Sequence, residues 1–376
     1  MHRTSAARTY AVRVVTTRDD LAALAPELDA LALESIEPNV FYESWMLQAG
    51  LARLPTAAAR IAVVRHQSGA LVGLFPFELI RRFQGLPLPA LRLWRHDYCF
   101  LCTPLVHRAH AEPTVQALLD WVESGGSPAR FLDLDLVTSA APFADLLTRE
   151  LGRRPAWVQY RRTYQRAMFL ADSDSRAGIS AKHSKEMRRL ERRLAEAGRV
   201  AYRVAAPDEP VEPWLEAFLA LEASGWKGRA GTALASVSHT RQFFLDIATE
   251  AARRRRLQLL ALELDGAPIA MKCNLLAGNG AFAFKIAFDD RFARYSPGML
   301  LELFTMRHLA TAHPEIRWMD SCADRSHFMI NRLWRGRRDM GTIWIAPGGV
   351  AGLMLRCWPH YHRLSRLVRR LRQRAA

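Results

Sequence analysis

The sequence has few cysteines and no long apolar run. Its five cysteines are odd in number and scattered over 376 residues, a pattern that fits reduced thiols better than a disulfide framework. No apolar stretch is long enough to cross a bilayer, and the N-terminal residues MHRTSAARTY carry no signal-peptide core. These absences favour a globular protein of the cytoplasm.

Four side chains near the middle of the first half raise the question of a zinc site: His96, Cys99, Cys102 and His107. The stretch DYCFLCTPLV, which contains both thiols, has the apolar character of a strand. We therefore interpret the two cysteines as buried structural thiols and predict no metal site.

Lysine is scarce in a chain that is otherwise strongly basic. The net charge is +16, yet only five of the 53 basic residues are lysines, at positions 182, 185, 227, 272 and 285. A basic surface suits nucleic acid, anionic lipid or polyanionic substrates such as nucleotides and acyl-CoA. In a chain that uses arginine this strongly, a retained lysine indicates a position where arginine does not fit.

One stretch of the second half combines a strand with the start of a helix. Residues 281–288 alternate aromatic and small side chains as a strand does, and a polar loop then leads to Pro297, Gly298 and an apolar helix that ends near residue 312. A helix that opens on glycine directs unpaired N–H groups and the positive end of its dipole at one point. This arrangement can hold a phosphate or pyrophosphate.

The order of predicted elements in residues 1–165 recurs in residues 201–348, which indicates an internal structural repeat. Between them, residues 166–200 form a connecting segment with a basic amphipathic helix, AKHSKEMRRLERRLAEAG. Residues 349–376 form a separate basic tail. Within the second half, the Asp-Gly turn between residues 257–264 and 268–276 predicts a hairpin.

This element order resembles that of the GNAT acyltransferases, and two such units in tandem resemble the Fem-type branch and the CelD-type acetyltransferases linked to polysaccharide synthesis. The likeness rests on LEASGWKGRAG (221–231), LELDGAPIAMKCNL (262–275), FKIAFDDRFARYSPGMLL (284–301) and WMDSCADRSHFMINRLW (318–334). It implies an α/β fold with two tandem GNAT-like domains, each a central mixed β-sheet flanked by helices. The implied reaction is direct transfer of an acyl group to an amine.

The resemblance also assigns a donor-binding loop. In the family, a loop of the pattern Arg/Gln-x-x-Gly-x-Gly/Ala holds the pyrophosphate of acyl-CoA. The matching positions here, which depart from that pattern in having Ser-Pro before the glycine, are Arg294, Tyr295, Ser296, Gly298 and Met299. The first half has no glycine at its corresponding loop, so we expect acyl-CoA to bind the second half only.

Three residues are candidates for catalysis. The family's oxyanion donor is a backbone N–H near residues 287–288. Asp289, beside the phosphate loop, could accept the amine proton through water or simply cap the loop. Asp320 ends the next strand at the same sheet edge. Lys285 lies inside the aromatic strand and either extends to an edge or points into the cleft, where it could bind an anion or the tetrahedral oxygen.

Three further residues are candidates for substrate binding. Trp226 and Lys227 precede a glycine-rich loop that could cover the substrate, although a tryptophan at a helix end also serves packing. His327 follows Asp324 and Arg325 and suits either a helix cap or an acid–base pair.

The C-terminal tail predicts a peripheral membrane contact. Over residues 360–374 apolar side chains share one helical face and arginines surround them, which suits an anionic membrane surface or a solvated, RNA-binding tail. The sequence as a whole thus predicts an acyl-CoA-dependent N-acyltransferase, with no metal, that modifies a small-molecule, glycan or lipid precursor, either in the cytoplasm or at the inner membrane face. The alternatives are a Fem-like transferase that uses aminoacyl-tRNA and a non-catalytic protein that binds an anionic glycan or lipid.

Overall fold

A computed structural model describes residues 9–154, 156–171 and 181–358. The chain divides into two compact units. Unit 1 contains residues 1–42, 57–164 and 339–376, and unit 2 contains residues 43–56 and 165–338.

The strands of the described residues form mixed sheets. Their bounds are β1 Tyr10–Val15, β2 Ala59–His66, β3 Leu71–Ile80, β4 Ala90–Leu93, β5 Leu105–Val106, β6 Phe131–Thr138, β7 Val158–Leu170, β8 Val200–Val204, β9 Leu257–Leu264, β10 Ala267–Ala277, β11 Gly280–Phe288, β12 Trp318–Asp320 and β13 Gly336–Ala346.

Helices connect these strands. Their bounds are α1 Arg18–Ala23, α2 Ala25–Leu33, α3 Ser44–Arg53, α4 Ala111–Glu123, α5 Pro142–Gly152, α6 Ala181–Ala195, α7 Glu212–Ser224, α8 Trp226–Arg229, α9 Ser238–Arg253, α10 Pro297–Ala312 and α11 Phe328–Leu333. Short 3-10 helices lie at η1 Val40–Tyr42, η2 Arg108–His110, η3 Leu234–Ser236 and η4 Asp290–Tyr295.

The two units share one strand order, which confirms the mixed α/β fold and the internal repeat. In unit 1, β1 to β4 pair antiparallel in sequence order and β4 pairs parallel with β6. In unit 2, β8 to β11 pair antiparallel and β11 pairs parallel with β12. The next strand in each sheet comes from the other half of the sequence, since β13 pairs with β6 and β7 pairs with β12.

The hairpin at the Asp-Gly turn is confirmed, because Leu264 and Ala267 pair across Asp265 and Gly266. β4 ends at Leu93, and within DYCFLCTPLV only Leu105–Val106 is a strand. The strand interpretation of that stretch was therefore wrong. Its thiols are nonetheless buried, because the loop folds inward, with Cys99 and Cys102 4% and 0% exposed.

Unit 2 gathers segments that the sequence analysis placed elsewhere. The basic helix α6, expected in a connecting segment, contributes Met187, Leu190 and Leu194 to the apolar core under α10. Residues 43–56, expected in the first domain, group with unit 2 because α3 packs on α9. An ion pair of 2.7 Å between Arg53 and Asp246 joins the same two helices.

None of the described helices combines the length and the apolar character needed to cross a membrane. Residues 350–358 are helical. The stretch 360–374, for which a membrane contact is predicted, lies outside the described residues.

Candidate active site

Unit 2 has an open sheet edge where two parallel strands separate. β11 and β12 pair only at residues 280–282 and 318–320. β12 ends at Asp320, whereas β11 continues for six more residues to Phe288. Beyond Phe282, β11 no longer pairs with β12, and no other strand of the described residues takes its place on that side. We call this side of residues 283–288 the gap edge.

Two hydrogen bonds fix the direction of the backbone groups along this edge. The N–H of Asp289 donates to the carbonyl of Ile269 at 2.9 Å, on the β10 side. The carbonyl of Ile286 accepts from the Lys227 ammonium at 3.1 Å, on the opposite side. Because neighbouring residues of a strand alternate in direction, the N–H groups of Ile286 and Phe288 point away from β10 and into the gap. Preorganised N–H donors of this kind stabilise a developing oxyanion.

Lys285 lies on β11 opposite Cys273 of β10 and is half-buried. Burial, followed by repulsion from Lys227, lowers the pKa of Lys285 to about 8, although Glu222 and two thiols oppose this shift. A lysine with such a pKa gives up its proton near neutral pH far more readily than an exposed lysine. It is therefore suited to proton transfer, and the burial supports the cleft interpretation of this residue.

Lys227 is engaged by the protein itself. Its ammonium lies 2.7 Å from Glu222, in addition to its bond with the Ile286 carbonyl. Sequence analysis assigned Lys227 to the substrate, but this geometry places it between α7 and β11 as a structural link. The neighbouring Trp226 is 54% exposed, so its ring is open to contact from outside.

The N-terminus of α10 follows the end of β11 and carries the predicted phosphate loop. Ser296 has left-handed backbone angles, φ 53° and ψ 52°, and its carbonyl accepts from the N–H groups of Met299 and Leu300. A Cβ added at Gly298 would lie 3.6 Å from Phe288, an ordinary contact distance. The first turn contains no acidic residue, so the positive end of the helix dipole is not neutralised there.

The remaining donor-site candidates flank this helix start. Arg294 is exposed and its guanidinium lies 4.8 Å from the ring of Tyr295. Tyr295 is 6% exposed and belongs to the apolar core under α10. Arg294 is thus placed to meet a ligand from solvent, whereas Tyr295 acts through packing.

Asp289 serves as a cap at the end of β11. Its carboxylate accepts from the N–H of Arg291 at 2.9 Å and pairs with the Arg291 guanidinium at 2.6 Å. The hydrogen bond from the Arg291 side chain is the main cause of a lowered pKa at Asp289. A carboxylate with a lowered pKa is a weaker base, so this contact favours the capping alternative over the acceptance of an amine proton.

Asp320 is a fully buried ion-pair centre at the end of β12. Arg166 and Arg338 approach it at 2.6 and 2.7 Å, and the N–H of Cys322 donates to it at 2.8 Å. Burial alone would raise the pKa of Asp320, but the two arginines and the Cys322 N–H lower it overall. A carboxylate held in this way fixes the end of β12 and is poorly suited to act as a base.

His327 caps α11, accepting from the Ile330 N–H at 3.4 Å. This is the helix-cap alternative of the sequence analysis.

The described structure brings some of the candidate residues together. Lys285 and Lys227 lie at the gap edge of β11, and the start of α10 follows Phe288. Asp320 ends the strand across the gap, and His327 follows it on the next helix.

Sequence reasoning missed several residues of this site. Glu222 is 3% exposed and holds Lys227, and Lys272 forms a buried pair of 2.6 Å with Glu302 of α10. The scarcity of lysine pointed to Lys272, but its partner lies 30 positions away, and no local pattern links them.

Residues 181–328 match the family model described as "Acetyltransferase (GNAT) domain". Residues 181–328 of unit 2 are thus similar to a GNAT acetyltransferase domain. The match covers most of the residues between 165 and 338 and includes β11, the start of α10 and Lys285. It therefore confirms the predicted family and the acyltransferase class. No curated protein matches the chain.

Three solved structures share the fold over most of the chain. A conserved protein of unknown function from Bacteroides thetaiotaomicron is 12% identical with a TM-score of 0.55, covering 89% of this chain and 99% of that one. FemX is 10% identical with a TM-score of 0.55, covering 85% and 95%. L-PGS from Bacillus licheniformis is 11% identical with a TM-score of 0.51, covering 92% and 96%. At these identities the likeness concerns the fold.

Proposed function

We propose that unit 2 transfers an acyl group from acyl-CoA to an amine on a cell-envelope, polysaccharide or related precursor. The observation that carries this proposal is the open edge of β11, where two N–H groups face a gap beside Lys285. The acid-free start of α10 follows the same strand. The backbone donors for the oxyanion and the proposed phosphate site thus lie next to each other on one strand–loop–helix segment.

The start of α10 fits the phosphates of the donor. Its uncompensated dipole favours an anion, and the small Gly298 leaves room beside Ile286 and Phe288. Arg294 is exposed at the end of η4, where it can add a charged contact. We assign donor binding to this loop, with Gly298 contributing its backbone N–H. The N–H groups of Ser296 and Met299 donate to the carbonyls of Ala293 and Ser296, so these two residues shape the loop.

Lys285 supplies the proton chemistry. The amine of the acceptor attacks the thioester carbonyl, and the oxyanion of the tetrahedral intermediate accepts from the N–H of Ile286 or from that of Phe288. The two donors lie about 6.6 Å apart along the strand, so a single oxygen meets one of them. Neutral Lys285 takes the proton that the amine loses. After the C–S bond breaks, the Lys285 ammonium returns that proton to the departing thiolate, so that an amide and a free thiol are the products.

Trp226 is proposed as part of the acceptor wall. It begins α8, the helix that Lys227 links to β11, and its ring is the exposed aromatic surface next to this link. An aromatic face suits the apolar side of a sugar ring or a lipid precursor.

A second donor is supported by one feature of the loop. Ser-Pro replaces the first glycine of the family pattern, so the loop departs from the common acyl-CoA form. Together with the charge of +16, this departure favours aminoacyl-tRNA as the alternative donor. A glycan- or lipid-binding protein without catalysis is the third candidate, and it requires that Lys285 have no role in turnover.

A peripheral membrane contact from the cytoplasmic side is part of the proposal. The helical residues 350–358 precede the basic stretch 360–374, and Val350 and Leu353 are 76% and 62% exposed. Exposed apolar side chains followed by arginines suit an anionic bilayer surface. Vesicle sedimentation with and without residues 360–374 tests this contact.

The function is tested by offering acyl-CoAs of increasing chain length and aminoacyl-tRNA to the purified protein with extracted envelope precursors. Release of free thiol together with a matching mass increase on an amine supports the acyl-CoA proposal. Transfer from aminoacyl-tRNA alone would replace it with the alternative donor. Binding of precursors without any mass increase would favour the non-catalytic candidate.

A further inference from the structure

A buried carboxylate in the last turns of α7 holds the lysine that touches β11. Glu222 is 3% exposed, and its two oxygens have different partners: one accepts from Lys227 at 2.7 Å and the other from the N–H of Leu234 at 2.8 Å. The carboxylate is therefore fixed at both oxygens, and the ammonium of Lys227 is fixed with it.

The backbone around Lys227 is equally constrained. The carbonyl of Lys227 accepts from the N–H of Thr232 at 2.8 Å. A Cβ at Gly228 would lie 1.8 Å from the carbonyl oxygen of Ala223, so only glycine fits at this turn. A further ion pair of 2.6 Å joins Arg229 to Asp290 just after β11. These contacts hold α8 against the gap edge.

We propose that Glu222 and Lys227 are positioning residues that hold the gap edge of β11 and place a fixed cation beside Lys285. The inference rests on the proposed function, since it assigns these two residues to the acyl-transfer site. By bonding the Ile286 carbonyl, Lys227 fixes the peptide group between Ile286 and Ala287, which lies between the two peptide groups that carry the candidate oxyanion donors. A group that orients such donors before substrate arrives removes reorganisation from the reaction.

The charges around Lys285 give the two residues opposite electrostatic effects. The groups that act on Lys285 are Lys227 and Glu222 on the helical side and the thiols of Cys273 and Cys322 on the sheet side. Lys227 lowers the pKa of Lys285 and Glu222 raises it. Removing the cation must therefore raise this pKa, and removing the carboxylate must lower it.

The test compares Lys227→Met, Glu222→Gln and Lys227→Arg. Rates of Lys285 acetylation by acetic anhydride, followed by peptide mass spectrometry against pH, report the pKa of Lys285 without any need for turnover. We expect an upward shift of about half a unit or more in Lys227→Met and a downward shift in Glu222→Gln. Lys227→Arg retains the charge, so its labelling midpoint stays near the wild-type value while kcat falls severalfold through the altered contact with Ile286.

Glu216→Gln is the matched control, because Glu216 lies on the outer face of α7 and pairs with Arg241 at 2.5 Å. Its labelling curve and kcat should equal those of the wild type. The inference is overturned if the labelling pKa of Lys285 shifts in the same direction in Lys227→Met and Glu222→Gln. It is also overturned if both variants fold and neither shifts this pKa more than Glu216→Gln does. Opposite shifts in labelling without a corresponding shift in the acid limb of kcat/KM support the positioning of Lys285 and contradict the catalytic role proposed for it.

Discussion

The two units have the same strand order but differ at the place where the parallel strands meet. In unit 1, β4 pairs with β6 at residues 90–92 and ends one residue later. In unit 2, β11 extends six residues past its pairing with β12. The longer strand creates the gap edge, so one topology gives a closed sheet junction in one unit and an open one in the other.

The helices that follow these strands differ in charge. The first turn of α4 contains Glu112, paired with Arg153, whereas the first turn of α10 contains no acid and has Gly298 as its second residue. The positive end of α4 therefore already has a carboxylate beside it, whereas that of α10 has none and attracts an anion. Unit 1 also lacks lysine altogether, since all five lysines lie between residues 182 and 285.

One feature is common to both units and indicates a structural role. Asp133 and Asp320 occupy the same place in their sheets, on the strand that pairs parallel, and both are buried. Arg92 bonds Asp133 at 2.8 Å, as Arg166 and Arg338 bond Asp320. The same carboxylate–arginine pairing occurs in unit 1, which has no gap edge. We therefore assign these pairs to the stability of the fold and not to acyl transfer.

The largest expected effect comes from Lys285→Met, which removes the one lysine on the gap edge. We expect kcat to fall by about a hundredfold or more, because general acid–base groups typically contribute factors of this size. The wild-type acid limb, with an apparent pKa of about 8, should disappear with it. Steady-state rates between pH 6 and pH 9 test this, with the exposed Lys185→Met as control. Wild-type turnover in folded Lys285→Met would remove Lys285 from the mechanism.

Met299→Glu gives α10 the acidic first turn that α4 has. A carboxylate there occupies the positive helix end, so we expect the KM for the donor to rise about tenfold or more without a loss of thermal stability. Met299→Gln, of the same size and uncharged, should differ little from the wild type. Initial rates at varied donor concentration decide the matter, and equal KM values for both variants would place the phosphates elsewhere.

Asp320→Asn and Asp133→Asn test whether the buried carboxylate–arginine pairs of the two units stabilise the fold. Loss of one partner from a buried ion-pair centre typically costs about 3 kcal/mol, and we expect Asp320→Asn to show this loss in urea unfolding at pH 7. Asp133, with one arginine, should cost less. Equal and negligible losses would show that the recurring pair does not stabilise the fold.

The two carboxylates should also respond to acid with opposite signs. The pKa of Asp320 is lowered in the fold, so its contribution is present above its unfolded pKa and is lost as the pH falls below about 3.8. Burial raises the pKa of Asp133, so its ionised form disfavours folding at neutral pH and acidification relieves this. The difference in unfolding free energy between Asp320→Asn and the wild type should therefore be smaller at pH 3 than at pH 7.

The smallest expected effect is that of Asp289→Asn. Asparagine keeps the cap on η4, and the lost ion pair involves an exposed arginine, so kcat should stay within about twofold of the wild type. Rates measured at pH 6 and pH 8 test this. A tenfold loss confined to low pH would restore Asp289 as the acceptor of the amine proton.

Much of the fold could be predicted from the sequence, because its signals are local. Alternation along residues 281–288, the Asp-Gly turn and the proline–glycine helix start are read from neighbouring residues. The loop after Leu93 was mistaken for a strand because a buried irregular segment is as apolar as a strand. The positions of β7 and β13 depend on pairings between residues at least 148 positions apart, which no local pattern reports.

The site was harder to predict, since it depends on pairs distant in sequence. Lys285 was found because a lysine inside an aromatic strand is unusual. The role of Lys227 was not, because it depends on the contact with Ile286, 59 positions away. For Asp320, the position at a strand end suggested chemistry, whereas its two arginine partners, one from β7 and one from β13, indicate stabilisation.

The most direct test of the account is calorimetric titration with an unreactive acyl-CoA analogue, because the central claim is a single donor site in unit 2. We predict one molecule bound per chain, with binding lost in Met299→Glu and retained in Ala111→Glu, which places the same charge at the first position of α4 in unit 1. Two molecules per chain, or loss of binding in Ala111→Glu with retention in Met299→Glu, would contradict the claim.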